Sequence, residues 1–195
     1  MPITILKDAV VVGGRRVSFS DFPRWHSHHL AKVSGTRELE KQGAALVLSG
    51  FPCLQLPQFI RGICRWGGYA GIAGRILKRN ATRKIREQFE SARHALTTSH
   101  PVRCALAALN RLKGLGTPSF ASKHLRFLRP DICPVLDRLL CQDLGYSFTA
   151  EGYQQISHNC CSVAKLLPPV PFAWGAADVE MSFFAFLQLP VEPNT

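Results

Sequence analysis

Residues 113–118, Lys-Gly-Leu-Gly-Thr-Pro, have the types and spacing to grip a phosphate. Gly114 and Gly116 let the chain turn without Cβ clashes and approach a ligand closely, while Leu115 can plug the gap between two helices. Thr117 followed by Pro118 reads as an N-cap with proline at the first helical position. Unpaired N–H groups pointing outward from such a bend, with Lys113 beside them, would form an anion site. Asp137 follows Pro134 and Val135 and can serve simply as a helix N-cap, a role worth about 1 kcal/mol.

Other groupings are weaker. His26, His28 and His29 lack a cysteine or acid at convincing metal-ligand spacing, so a surface cluster without metal is expected. Cys160 and Cys161 would face different directions on one helix, which suits packing better than redox chemistry. Asp178 and Glu180 fall in the first turn of a helix, where negative charge is favourable, and could also position a basic group near a pocket. Trp66 and Tyr69 flank Gly67-Gly68, and Trp174 precedes the last helix; each ring can be packing or pocket wall.

The elements that must position these residues read as helices almost throughout. The exception is Ala9 to Phe19, where β-branched residues flank Gly13-Gly14 as in a hairpin, so a small ribbon is expected. Ile85, Phe89, Ala92 and Leu96 recur at helical spacing with Asn80 as N-cap, and Tyr153, Ile156, Cys160, Val163 and Leu167 do so after Thr149. A helix opening at Pro101 and ending at Leu112 leads into the glycine bend, and a second runs through Leu128. Arg129-Pro130 stops that one, and Asp137 opens a short helix over Arg138 to Leu144. The last helix, from about Ala177 to Leu187, is too apolar for a single stripe and should be central. The run from Gly67 to Gly74 is nearly devoid of side chains, permitting either close helix approach or a spacious pocket. With no repeat, low-complexity tract or long linker, residues 1–195 read as one all-α unit with two lobes around a cleft.

A chain of 195 residues, 46% apolar and 19% charged, can build one real core, which excludes disordered, collagen-like and mini-protein classes. Its 24 Lys and Arg against 13 Asp and Glu leave +11, favouring a polyanionic partner. Nine basic and two acidic residues fall between Arg61 and Arg93. Arg83 with Glu87 and Arg86 with Glu90 would support a solvated helix face there; a phosphate-contacting face is the other reading. No apolar stretch approaches the roughly 20 residues of a membrane helix, and Lys7 and Asp8 interrupt the apolar start, so neither membrane insertion nor export is expected. Seven scattered cysteines suggest reduced thiols and a cytoplasmic protein.

Residues 112–137, LKGLGTPSFASKHLRFLRPDICPVLD, resemble the helix-hairpin-helix and catalytic-aspartate segment of the DNA glycosylase superfamily that includes 8-oxoguanine DNA glycosylase and endonuclease III. Gly114, Gly116, Pro134, Val135 and Asp137 match in type and separation. WGAADVEMSFFAF, residues 174–186, resembles the closing helix of small bacterial 8-oxoguanine-glycosylase-like proteins. The resemblance implies a helical two-lobed fold and a DNA N-glycosylase that flips a base from duplex DNA. It assigns phosphate contacts to Lys113, Gly114, Leu115, Gly116, Thr117 and Ser119, and a base pocket to Trp66, Tyr69, Ser122, Trp174 and Asp178. Asp137 is the implied catalytic carboxylate, stabilising positive charge on the deoxyribose and orienting or deprotonating water.

Bifunctional relatives carry a Schiff-base lysine two residues after the second hairpin glycine, where this chain has Pro118. Lys123, on the face of Ser119, Ser122 and Arg126, is then a nucleophile displaced along the helix, a phosphate or supporting contact, or an exposed residue. The family's four-cysteine iron–sulfur pattern is missing, so cofactor-free hydrolysis without lyase activity is expected, by a monomer. Some small bacterial relatives act against phages with hypermodified bases, making a bulky, for example glucosylated, pyrimidine the leading substrate expectation. The alternatives are 8-oxoguanine-type repair, a lyase using Lys123, and a non-catalytic helix-hairpin-helix DNA-binding protein.

Overall fold

Gly13 and Gly14 take φ of 56° and 73°, the paired left-handed backbone of a two-residue hairpin turn. They join β2 (Ala9–Val12) to β3 (Arg15–Ser18), with Val10 opposite Val17. A further strand, β1 (Ile3–Ile5), pairs on the other edge of β2, so the expected ribbon is a three-stranded antiparallel sheet in the order β1-β2-β3. Three residues are too few to show a period-2 pattern, which is why β1 is silent in the sequence. The computed structural model describes residues 3–97, 101–116 and 118–188.

The rest is mostly helical, as expected. After a 3-10 turn at Phe19–Asp21 come α1 (Phe22–Lys32), α2 (Thr36–Ser49), α3 (Leu56–Trp66), α4 (Gly71–Arg79) and α5 (Thr82–Ala95). They are followed by α6 (Pro101–Leu109), α7 (Ser119–Leu128), α8 (Arg138–Leu144), α9 (Ala150–Ala164) and α10 (Ala176–Leu187). α10 is buried along nearly its whole length between α1 and α9, the central position its composition predicts. α5 lies on α6, α2 on α7, and α3 touches both α4 and α7. No described helix is long and apolar enough to cross a membrane.

Three local expectations change. Asn80 is not the N-cap of α5, where Ala81 stands; it ends α4, its Nδ2 donating to the Ile76 carbonyl. α6 stops at Leu109, and the chain reaches Leu112 through tighter i→i+3 bonds. Pro118 precedes α7, its carbonyl accepting from Ser122 N, while Thr117 lies outside the described residues. Thr149 caps α9, accepting from Gly152 N, and the Arg83–Glu87 and Arg86–Glu90 pairs form on the solvent face of α5.

Candidate functional site

Asp137 ends the run Cys133–Leu136 and caps α8, its Oδ1 accepting from Leu139 N at 2.9 Å. Its other oxygen, Oδ2, lies 3.6 Å from Lys123 Nζ. Both residues line a cavity of about 180 Å³. A carboxylate fixed by one oxygen and turned inward by the other satisfies the cap and leaves a charge available for chemistry.

The approach to Asp137 is held residue by residue. Tyr153 Oη donates to the Pro134 carbonyl, Val135 N donates to Glu180 Oε2, and Leu136 N donates to Ser122 Oγ. Ser122 itself donates to the Ser119 carbonyl. Side chains from α7, α9 and α10 thus fix three consecutive residues, so the carboxylate cannot drift without breaking buried hydrogen bonds.

Lys123 is buried against the cavity. It donates to Ser119 Oγ at 2.9 Å and sits 4.8 Å over the Phe120 ring. Its stem passes Gly67, where an added Cβ would come within 3.0 Å of Lys123 Cδ and 3.1 Å of Phe120. Gly67 is therefore spatial clearance for the amine. Of the alternatives open for Lys123, simple exposure is set aside by this burial.

Trp66 and Gly67 form one wall at the end of α3, Val33 and His29 another beyond and within α1, and Phe184 and Glu180 a third on α10. Trp66 Nε1 donates to Thr36 Oγ1, and the ring meets Phe127 edge-on at 4.9 Å. Behind it Arg126 is fully buried, bonded to Glu40 Oε1 at 2.9 Å and lying 4.5 Å over the Phe127 ring. Burial lowers the Arg126 pKa, an effect opposed by Glu40 and Glu180.

Two lining residues differ most from their sequence readings. His29, expected on the surface with His26, is buried because Phe22, Trp25, His26 and His29 share the inner stripe of α1. Its Nε2 has no described hydrogen-bond partner, and burial, then the charges of Arg126, His26 and His28, lower its pKa to about 4. Glu180 lies beyond the first turn of α10; burial raises its pKa to about 7 despite Arg126 and the Val135 N–H. A charged residue in a helix too apolar for one stripe was the available signal for it. The signal for His29 was the spacing from Phe22.

Not every expected pocket residue reaches the cavity. Trp66 lines it, whereas Ser122 is buried beneath Asp137 as a positioning contact. Tyr69, two residues past Gly67, is 66% exposed and rests edge-on against Phe120 at 5.8 Å. Trp174 packs on Phe22, His26 and Phe172 and donates to the Pro168 carbonyl. Asp178 is buried in the first turn of α10, its Oδ2 accepting from the backbone N–H of the N-cap residue Gly175, with Oδ1 3.0 Å from His26 Nε2. Burial alone would raise the Asp178 pKa, but these two contacts bring it below the usual value. Neither Trp174 nor Asp178 belongs to the lining. No group of three or more candidate metal ligands exists among the described residues.

The glycine bend is gripped by α4. Lys113 N donates to Asn80 Oδ1 at 3.0 Å, and Asn80 Nδ2 donates to the Lys113 carbonyl at 2.9 Å. Leu115 N is also committed, to Leu112, so two of the N–H groups expected to be free are not. Gly114, with φ 85°, packs so closely on Arg75 that an added Cβ would lie 3.0 Å from its Cβ. Leu115 is buried as the plug, and Lys113, Arg75, Lys78 and Arg79 are exposed around the bend. The glycines at 68, 71 and 74 face open space. Comparison with known proteins gives no match: no family model fits the sequence, and neither a curated protein nor a solved structure matches it.

Proposed function

We propose that the protein is a DNA N-glycosylase of the helix-hairpin-helix kind, with α6, the bend and α7 gripping the duplex in a cleft between two helical lobes and Asp137 as the catalytic carboxylate. The observation that carries this reading is the Asp137 carboxylate, capped by one oxygen and facing a ring-sized cavity with the other. An engineered cavity of about 150 Å³ admits benzene, so about 180 Å³ suits one planar ring. A bulky substituent such as glucose would have to project out of a cavity of this size. Exposed Arg75, Lys78, Arg79 and Lys113 supply phosphate contacts around the bend. Ser119, bonded to Lys123, links the start of α7 to the cavity wall.

In this reading the C1′–N bond breaks as positive charge grows on the sugar, and Asp137 Oδ2 stabilises that charge and orients water. Water adds hydroxyl to C1′, and its proton ends on the departing base. The Lys123 amine is already bonded to Ser119 and paired with Asp137, which favours hydrolysis without lyase chemistry. Its place on the cavity wall is the observation favouring a second reading, a Schiff-base lyase. Borohydride trapping separates them: no covalent DNA adduct is expected, with abasic sites cleaved only after alkali, whereas an adduct lost in Lys123→Ala would establish the lyase. Mass spectrometry of what is liberated from oxidised, alkylated and glucosylated duplexes tests the function and names the base; release from none of them would defeat it.

A further inference from the structure

We propose that Glu180 and His29 read the everted ring, the Glu180 carboxyl donating to a keto oxygen or bare ring nitrogen while His29 Nε2 meets a second polar atom of that ring. The inference rests on the glycosylase reading for the identity of the ring, and on the cavity alone for the rest. Both residues line the cavity with only 4% and 8% of their surface exposed. Their neighbours in the lining, Val33, Val135, Trp66 and Phe184, are apolar, so few groups besides these two, Lys123 and Asp137 can form hydrogen bonds to a ligand. Lys123 and Asp137 already face each other; the His29 ring nitrogen has no described partner. A buried ring nitrogen without a partner is costly unless something bound satisfies it.

The donor and acceptor logic follows from what each group has already committed. Glu180 Oε2 accepts from Val135 N, leaving Oε1 as the oxygen that can carry a proton toward the ligand. Burial raises the carboxyl to about 7, so near and below that pH the acid form, a donor, is available. The groups facing it are Arg126 and Lys123 from α7, Asp137 and Cys141 from the α8 segment, and Tyr153 and Cys160 from α9. His29 stands on the α1 side of the same cavity, neutral above about pH 4, with one ring nitrogen a donor and the other an acceptor. A neutral donor–acceptor pair between apolar walls suits a neutral, planar, keto-bearing ring over an anion or cation.

The test uses the full chain with duplexes bearing uracil, hypoxanthine, 8-oxoguanine or 5-hydroxymethylcytosine at one position, and the same duplex with a tetrahydrofuran abasic site. Binding and base release are measured below and above neutral pH. Wild type should prefer at least one base-bearing duplex over the abasic one, and lose that preference as pH rises through about 7. Glu180→Gln, which keeps a donor and the acceptor for Val135, should hold the preference at both pH values. Glu180→Leu and His29→Phe should each reduce it about tenfold or more while abasic-duplex binding stays unchanged. A preference indifferent to Glu180→Leu and His29→Phe overturns the reading pair, whether or not base is released. Release with an indifferent preference would leave the glycosylase standing; preference behaving as expected without release of any base would do the reverse.

Discussion

Asp137 has two duties of unequal size. Its cap on α8 is worth about 1 kcal/mol, and asparagine caps nearly as well. A preorganised charge beside a developing cation is worth about 3 kcal/mol or more in the transition state. Asp137→Asn should therefore shift the urea midpoint little while lowering base release by about 100-fold or more. Comparable losses of stability and rate would show that the carboxylate is only a cap. Gly67 makes the complementary case, because its importance is a missing side chain. Gly67→Ala should displace Lys123 or Phe120 and shrink the cavity, reducing affinity for base-bearing duplexes more than for abasic ones.

Among the elements, the bend between α6 and α7 is held by α4 as well as by its own left-handed glycines. Asn80 forms two hydrogen bonds to the backbone of Lys113 and one to Ile76, tying the end of one helix to the turn between two others. Asn80→Ala should weaken duplex binding several-fold through a loosened bend, with base preference unchanged; equal affinity would mean that the bend is self-supporting. The sequence displayed the bend, its plug Leu115, α7 and the cap at Asp137 because these are set by local rules of glycine, proline and capping. It did not display Asn80 as the clamp, since the bond spans 33 residues and no local pattern encodes it. For the same reason Trp174 and Asp178 read as pocket residues: their partners Phe22 and His26 come from a distant helix.

The whole molecule should respond to pH in a way that isolates the cavity. Glu180, at about 7 against an ordinary 4.5, gives stability that is full below pH 4.5 and is lost as pH rises through 7, about 3 kcal/mol in all. His29 and His124 work in the opposite sense. Both sit at about 4 against 6.5, chiefly through burial, so stability falls as pH drops from 6.5 through 4 when the unfolded chain takes up their protons. Glu180→Gln should consequently gain on wild type by about 3 kcal/mol in urea unfolding between about pH 5 and pH 8. An offset constant across that range would place Glu180 in water. The helical architecture and the burial of α10 were legible from periodicity, whereas the Glu180 and His29 shifts arise at the cavity where α1, α3, α7 and α10 converge.

The N-terminal sheet touches this convergence from one end. Arg15 donates to the Phe186 carbonyl at 3.3 Å and lies 4.2 Å over its ring, while the Gly13 turn abuts Leu187 and the Asp143 carbonyl. The sheet is thus a brace across the last turn of the helix that bears Glu180 and Phe184. Trimming residues 3–18 should free that end to fray, so that amides near Phe186 exchange with solvent faster while those of α5 and α6 keep their protection.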